Sequence, residues 1–450
     1  SQGSLVGSTD GSVHMQAGNT LHISGSDVIA KQNVTGVASE VVIDPSATNR
    51  HHDETHETKS SGFTLAVKAP AVDAVQNINQ QAHAAGDSGD SRTAALHAIA
   101  AAGGITTAAG AVGSAASALS SGQKPEAKIE LSWGSSSSKS TFSEDQHSNN
   151  GSTVTAGGTA AFVATGNGQP GSGNVTIVGS DLNANNVLLQ ANNAVNLVRS
   201  TDTDSTRSSN QSNSASVGVS VGTGGFGVSA AMAQAHGDAN SDAALQNNTH
   251  INGAQNVVIV SGGDTNIVGA NVNGGHVATD IGGNLNIASV QDTSQSAAHQ
   301  SSSGGGFSIS QGGGSASFRA SHGSASGNYA GVNEQSGIHA GADGFDINVK
   351  GNTDLHGAYI ASDADASKNS LTTGTLTFDN VANSSSYGAK SSGISVGATV
   401  GDGGNNYATH GPTSGTNTGG ITPALSQHDS GSDQAMTGSA ISAGTITITD

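Results

Sequence analysis

Along this chain apolar residues come in pairs spaced by two, and three of these pairs return after twenty residues. Leu21 and Ile23 return as Val41 and Ile43, and Val175 and Ile177 return as Val195 and Leu197. Thr265 and Ile267 return as Leu285 and Ile287, inside the matching strings GGDTNI and GGNLNI. Alternate residues on a strand face the same side. A pair spaced by two and repeated every twenty therefore predicts a short strand stacked on a copy of itself. Twenty residues of extended chain have a contour of roughly 66 Å, about the perimeter of one solenoid coil with three short strands. The pattern predicts an all-β fold: a right-handed parallel β-helix of about 20 residues per coil, with these pairs as its internal ladder.

Coil-type sequence falls in residues 1–60 and then near 152–199, 249–291, 338–380 and 440–450. A longer repeat links these islands. A shift of 154 carries Gly25, Ser26, Asp27, Val28 and Ala30 onto Gly179, Ser180, Asp181, Leu182 and Ala184. A shift of 88 carries Gly263, Thr265, Ile267, Gly269, Ala270 and Val272 onto Gly351, Thr353, Leu355, Gly357, Ala358 and Ile360. The coils number about eight to nine and predict a rod of about 40 Å. Ile446 and Ile448 look like a strand pair awaiting its next coil, so the chain is expected to be a piece of something longer.

Between the islands lie Ser/Gly-rich segments with a different pattern. Val217, Val219 and Val221 alternate, then Thr223-Gly224-Gly225 can turn, then Phe226, Val228, Ala230 and Met232 alternate. Phe307 and Ile309 precede a glycine run that leads to Ala316 and Phe318, and Ile394, Val396, Ala398 and Val400 lead into Gly401-Asp402-Gly403-Gly404. Each predicts an extruded β-hairpin with one apolar face, at about 205–240, 300–330 and 384–410, with strands of about seven to nine residues. The expectation for these hairpins is that they lie on the rod. Phe63, Leu65 and Val67 sit 154 residues before Val217, Val219 and Val221, and their partner strand would be Ile129, Leu131 and Trp133. The hairpin over 61–134 carries an Ala-rich helical hairpin at about 71–121, in which Val72, Val75, Ile78, Ala82 and Ala85 follow spacings of three and four.

Composition sharpens this picture. Leu, Ile, Val and Phe make up about 18 % of the chain, too little for a thick globular core but enough for a thin solenoid core. A net charge of −19, from 33 acidic and 14 basic residues, argues against nucleic acid as a partner and against electrostatic docking on anionic membranes. The absence of cysteine removes disulfides and thiolate metal sites.

Several catalytic patterns match by letter only. Gly222 to Gly227 fits a dinucleotide fingerprint, but the alternation continues through Gly227-Val228-Ser229 where a helix should begin. Gly218-Val219-Ser220-Val221-Gly222 and Gly393-Ile394-Ser395-Val396-Gly397 fit a nucleophile elbow, but both serines sit within unbroken alternation. His51, His52, Asp53, Glu54, His56 and Glu57 form the densest titratable cluster; without metalloprotease spacing it reads as a solvated loop. Asp202 with Asp204, or Asp363 with Asp365, makes no calcium loop. No catalytic, cofactor or metal residues are assigned.

Longer strings then carry a resemblance. VGSDLNANNVLLQANNAVNLV, SGGDTNIVGANVNGGHVATDIGGNLNIASVQDTS, NEQSGIHAGADGFDINVKGNTDLHGAYI and NSLTTGTLTFDNV resemble the second haemagglutinin-repeat region of large two-partner-secreted exoproteins. These include filamentous haemagglutinin and, more closely, the CdiA-type effectors of contact-dependent growth inhibition. VQNINQQAHAAGDSGDSRTAALHAIAAA and GSSSSKSTF are similar to the stretch that precedes the repeats in the latter. The resemblance implies export through an outer-membrane partner transporter of a Gram-negative cell and a filament on the cell surface. It also implies retention of part of the protein in the cell before contact, engagement of the target-cell outer membrane or its receptor, and delivery of a C-terminal toxin. The alternatives are a host-cell adhesin or carbohydrate-binding rod, and a β-helix polysaccharide lyase or hydrolase. The candidate contact faces are Val217, Val219, Val221, Phe226, Val228, Phe307, Ile309, Phe318, Ile394 and Val396.

Overall fold

The computed structural model describes residues 3–68, 128–222, 225–310, 313–401 and 418–450. The helical hairpin expected at 71–121 lies outside them. The described chain forms two sheets, one of parallel solenoid strands and one of eight antiparallel strands.

The twenty-residue pairs stack in register. Leu21 and Ile23 pair with Val41 and Ile43, which pair with Val175 and Ile177; those pair with Val195 and Leu197. The column continues through Thr265 and Ile267 to Leu285 and Ile287, and on to Thr353 and Leu355. Two further columns complete the coil. One runs from Leu5–Ser8 through Asp27–Ala30, Thr153, Asp181, His250, Asn271, Gly337 and Tyr359 to Ala440. The other runs from Val13–Gln16 through Val34, Ala160, Val187, Val257, Val277, Phe345 and Leu371 to Ile446. All ladders are parallel, as a parallel β-helix requires.

The interior is a thin apolar column. Val41, Val175, Val195, Ile267 and Leu285 are fully buried, and Phe162 and Phe345 are its largest members. Phe162 lies in register with Gly36, where a Cβ would stand 2.7 Å from the ring. A glycine in one tier thus makes room for a phenyl in the next. Outward asparagines run up the rod: Asn286 donates to Asn266 at 2.8 Å, and Asn266 donates to Asn196 at 2.8 Å.

Alternate coils turn one corner differently. Gly25, Gly179, Gly269 and Gly357 make it tightly, with φ of 51°, 47°, 63° and 55°, a left-handed region glycine enters without strain. In the intervening coils the same corner opens into a hairpin. Hairpin I is Ser46–Lys68 with Lys128–Asn150, and hairpin II is Ser200–Gly222 with Gly225–Asn247. Hairpin III is Asp292–Ser310 with Gly313–Gly331, and hairpin IV is Val381–Gly401 with Thr418–Thr437. Hydroxyls seal three of the roots. Ser152 donates to the carbonyl of Asp44 at 2.8 Å, Thr249 to Val198 at 2.7 Å and Ser439 to Asp379 at 2.6 Å.

The alternation has a geometric consequence. Tiers of a parallel rod and strands of a sheet share one spacing, about 4.8 Å. A hairpin is two strands wide, and hairpins leave every second tier. Neighbouring hairpins therefore meet at hydrogen-bonding distance, and all four merge into one eight-stranded sheet in the order I, II, III, IV. The shifts of 154 and 88 residues are each a step of two tiers. This sheet, the fin, corrects several expectations. Its strands run 19 to 23 residues rather than seven to nine. Residues 46–60 and 135–150 belong to it and not to coils, and hairpin IV reaches Thr437 rather than 410. Nor do the hairpins lie on the rod: they pair with one another instead.

Candidate interaction surface

Cross-strand register fixes which fin residues share a face, because side chains alternate with period two. One row reads Phe63, Trp133, Val217, Ala230, Phe307, Ala316, Ala398. The next row toward the tips brings Leu131, Val219, Val228, Ile309 and Val400 together. The next row toward the rod carries Met232, Phe318, Val396 and Ile421. Val221 and Phe226 pair near the tip of hairpin II, and Ile394 lies one row further in, opposite Ala320. All the candidate contact residues therefore fall on one face of one sheet. They are exposed: Val217 is 55 %, Val221 63 %, Phe307 44 % and Ile394 42 % accessible. The other face of the same region holds small residues, with Ser216, Ala231, Gly306, Ser317 and Gly397 in one row.

Nearer the rod the apolar face turns polar. Arg207 donates to both carboxylate oxygens of Asp242, at 2.8 and 2.9 Å; the Ser205 hydroxyl first, and then Arg207, hold that acid below the usual carboxylate range. His51 contacts Asp145 through Nδ1 at 2.6 Å and Asp53 through Nε2 at 2.8 Å. The Asp145 contact, then the Asp53 contact, raises the His51 pKa, while Ser143 and His51 lower that of Asp53. Lys59 pairs with Glu57.

The His51–Glu57 cluster is not a loop. It lies within the first strand of hairpin I, the outer strand of the sheet. Charges on an edge strand oppose further pairing, and the opposite edge carries Pro423, Asp429 and Asp433 on Thr418–Thr437. Among the described residues no group of three or more His, Asp and Glu is placed to hold a metal. The dinucleotide and nucleophile-elbow matches are likewise placed in the fin. Val221 pairs with Phe226 and Gly222 with Gly225 in an antiparallel ladder, and Gly225–Asn247 is a strand where a dinucleotide site would need a helix. Ser220 lies mid-sheet between Gly227 and Glu130.

One bridge had no signal in the sequence. His250 contacts Asp181 at 2.9 Å through Nδ1 and Glu334 at 2.8 Å through Nε2. It joins two tiers to the segment returning from hairpin III. The Asp181 contact, against partial burial and with Glu334, raises its pKa to about 9.

A parallel solenoid with extruded hairpins and a polar, laddered exterior has the architecture of a repeat rod. Residues 131–305 match the family described as hemagglutinin repeat. A protein named tRNA nuclease CdiA from Burkholderia pseudomallei is 55 % identical over 449 residues, 99 % of this chain and 35 % of that protein. A protein of the same name from Escherichia coli (strain NC101) is 37 % identical over 457 residues, 99 % of this chain and 14 % of that protein. Toxin CdiA from Escherichia coli is 34 % identical over 402 residues, 87 % of this chain and 13 % of that protein. The chain thus spans about a third or less of the length of these relatives. No solved structure matches it. The chain belongs to the CdiA-type haemagglutinin-repeat regions and is a structural segment of such an exoprotein.

Proposed function

We propose that this segment stands on the surface of a Gram-negative cell, exported through a partner transporter, and helps deliver a C-terminal toxin across the outer membrane of a target cell. The nuclease activity named for its relatives then lies outside this stretch, and the segment itself is not an enzyme. The observation that carries the reading is the apolar band of the fin. It is about seven residues deep, roughly 24 Å at strand rise, close to the apolar height of an outer-membrane barrel wall. Eight antiparallel strands with one apolar face and one face of small residues suit such a wall. No helix among the described residues is long and apolar enough to cross a membrane. The full-length protein carrying Val219→Asp and Phe307→Asp tests this. Export, surface display and target binding should persist while toxin delivery is abolished. Normal delivery would reduce the fin to padding on a filament.

A further inference from the structure

The same band poses a second question, which concerns water and not the membrane. Most soluble monomers expose no apolar patch larger than about 300–600 Å². Eight strands about 4.8 Å apart and a band about 24 Å deep make a face on the order of 900 Å². A standard protein interface needs about 800 Å² from each partner. Area and composition therefore both match a partner that presents a flat apolar sheet, and the fin is itself such a sheet.

We propose that a second copy of this chain covers the band in aqueous solution. Two fins pack apolar face to apolar face about a two-fold axis that runs across the strands, with tips pointing in opposite directions. Each hairpin then lies over its own copy, in the manner of a two-sheet sandwich. This orientation follows from what borders the band. Asp53, Asp145 and Asp242 share the apolar face nearer the rod, with His51 and Arg207 as their partners. Tips pointing the same way would bury each belt of paired charges against its own copy, at a desolvation cost, and would bring the two rods to the same end. Opposed tips place belts and rods at opposite ends and, among the described residues, lay band on band. Large and small residues interleave within a row, as in Val217, Ala230, Phe307, Ala316, which gives the ridges and hollows that two such faces need to interdigitate. The pairing would keep the band from indiscriminate association until a bilayer competes for it.

Sedimentation of the purified chain over a concentration series, without lipid, tests the proposal. The chain should sediment as a dimer. Val219→Asp with Phe307→Asp should weaken the association at least tenfold and leave far-UV dichroism, and melting at concentrations where the chain is monomeric, unchanged, because both side chains face solvent in a single copy. The chain has no cysteine, so single-cysteine variants report cleanly. Val219→Cys should cross-link between copies, and Ser216→Cys, on the other face, should not. A monomer at every concentration overturns the proposal, even if that monomer binds vesicles. So does association that survives the double aspartate variant, since sheet edges or coil ends would then carry it. The delivery assay is independent, so loss of the dimer leaves the membrane reading standing.

Discussion

Ile177 and Val219 are both aliphatic residues on strands, but Ile177 is 1 % exposed in the rod and Val219 is 42 % exposed on the fin. The rod closes on itself, so each coil has an inside, and parallel stacking buries that inside continuously. The fin is a single layer with nothing packed on either face among the described residues. Its order comes from long antiparallel ladders and from the rod, which holds the roots at the right spacing. Burial builds one region and register builds the other.

Removing one plain coil should break that relation most severely. Deletion of residues 249–269 joins Asn248 to Ala270, which holds the equivalent place one tier on. The rod should refold around the gap, but hairpins II and III would leave consecutive tiers, about 4.8 Å apart where two strands need twice that. Amide exchange should show protection lost where Gly227–Ala244 meets Thr293–Ser310, with solenoid amides still protected. A fin that stays fully protected would show that the rod does not set its register.

Matched substitutions sharpen the contrast. Ile177→Asp puts an unpaired charge into the column and should cost about 3 kcal/mol or more. Val219→Asp should change stability by no more than about 0.5 kcal/mol. Denaturant unfolding of both variants at concentrations where the chain is monomeric measures the difference, and equal costs would mean that the fin face is covered within a single copy.

The smallest effect belongs to the link between the regions. The His250 pKa is raised from 6.5 to about 9, first by Asp181. A raised imidazolium pKa contributes stability that is complete below about 6.5 and lost as pH rises through about 9. The melting temperature of the native chain relative to His250→Gln should therefore show an advantage at pH 6 that fades by pH 10. A difference that does not vary with pH would mean that the bridge carries no charge.

The sequence legible by eye was the apolar part. Pairs such as Val175/Ile177 and Val195/Leu197 announce their own stacking because a rod tier repeats both period and face. Alternation at Val217–Val221 and Phe226–Met232 announces a hairpin with one apolar side. The rod-proximal strands, such as Ser200–Ser216, were not legible. They carry no apolar alternation, and neighbouring strands rather than burial keep them extended. The edge strand at His51–Glu57 looked like a loop for the same reason, since its charges serve to stop pairing.

The sequence by itself determined the solenoid, its register and the apolar side of each hairpin, because these rest on spacings within a few tens of residues. Only the tertiary structure decided that four hairpins make one sheet. That outcome depends on the number of coils between hairpins and on the equality of tier and strand spacing. It also fixed which charges meet, as at His250, whose two carboxylates lie 69 and 84 residues away in the chain. No local pattern encodes such distances; the winding of the rod brings them together.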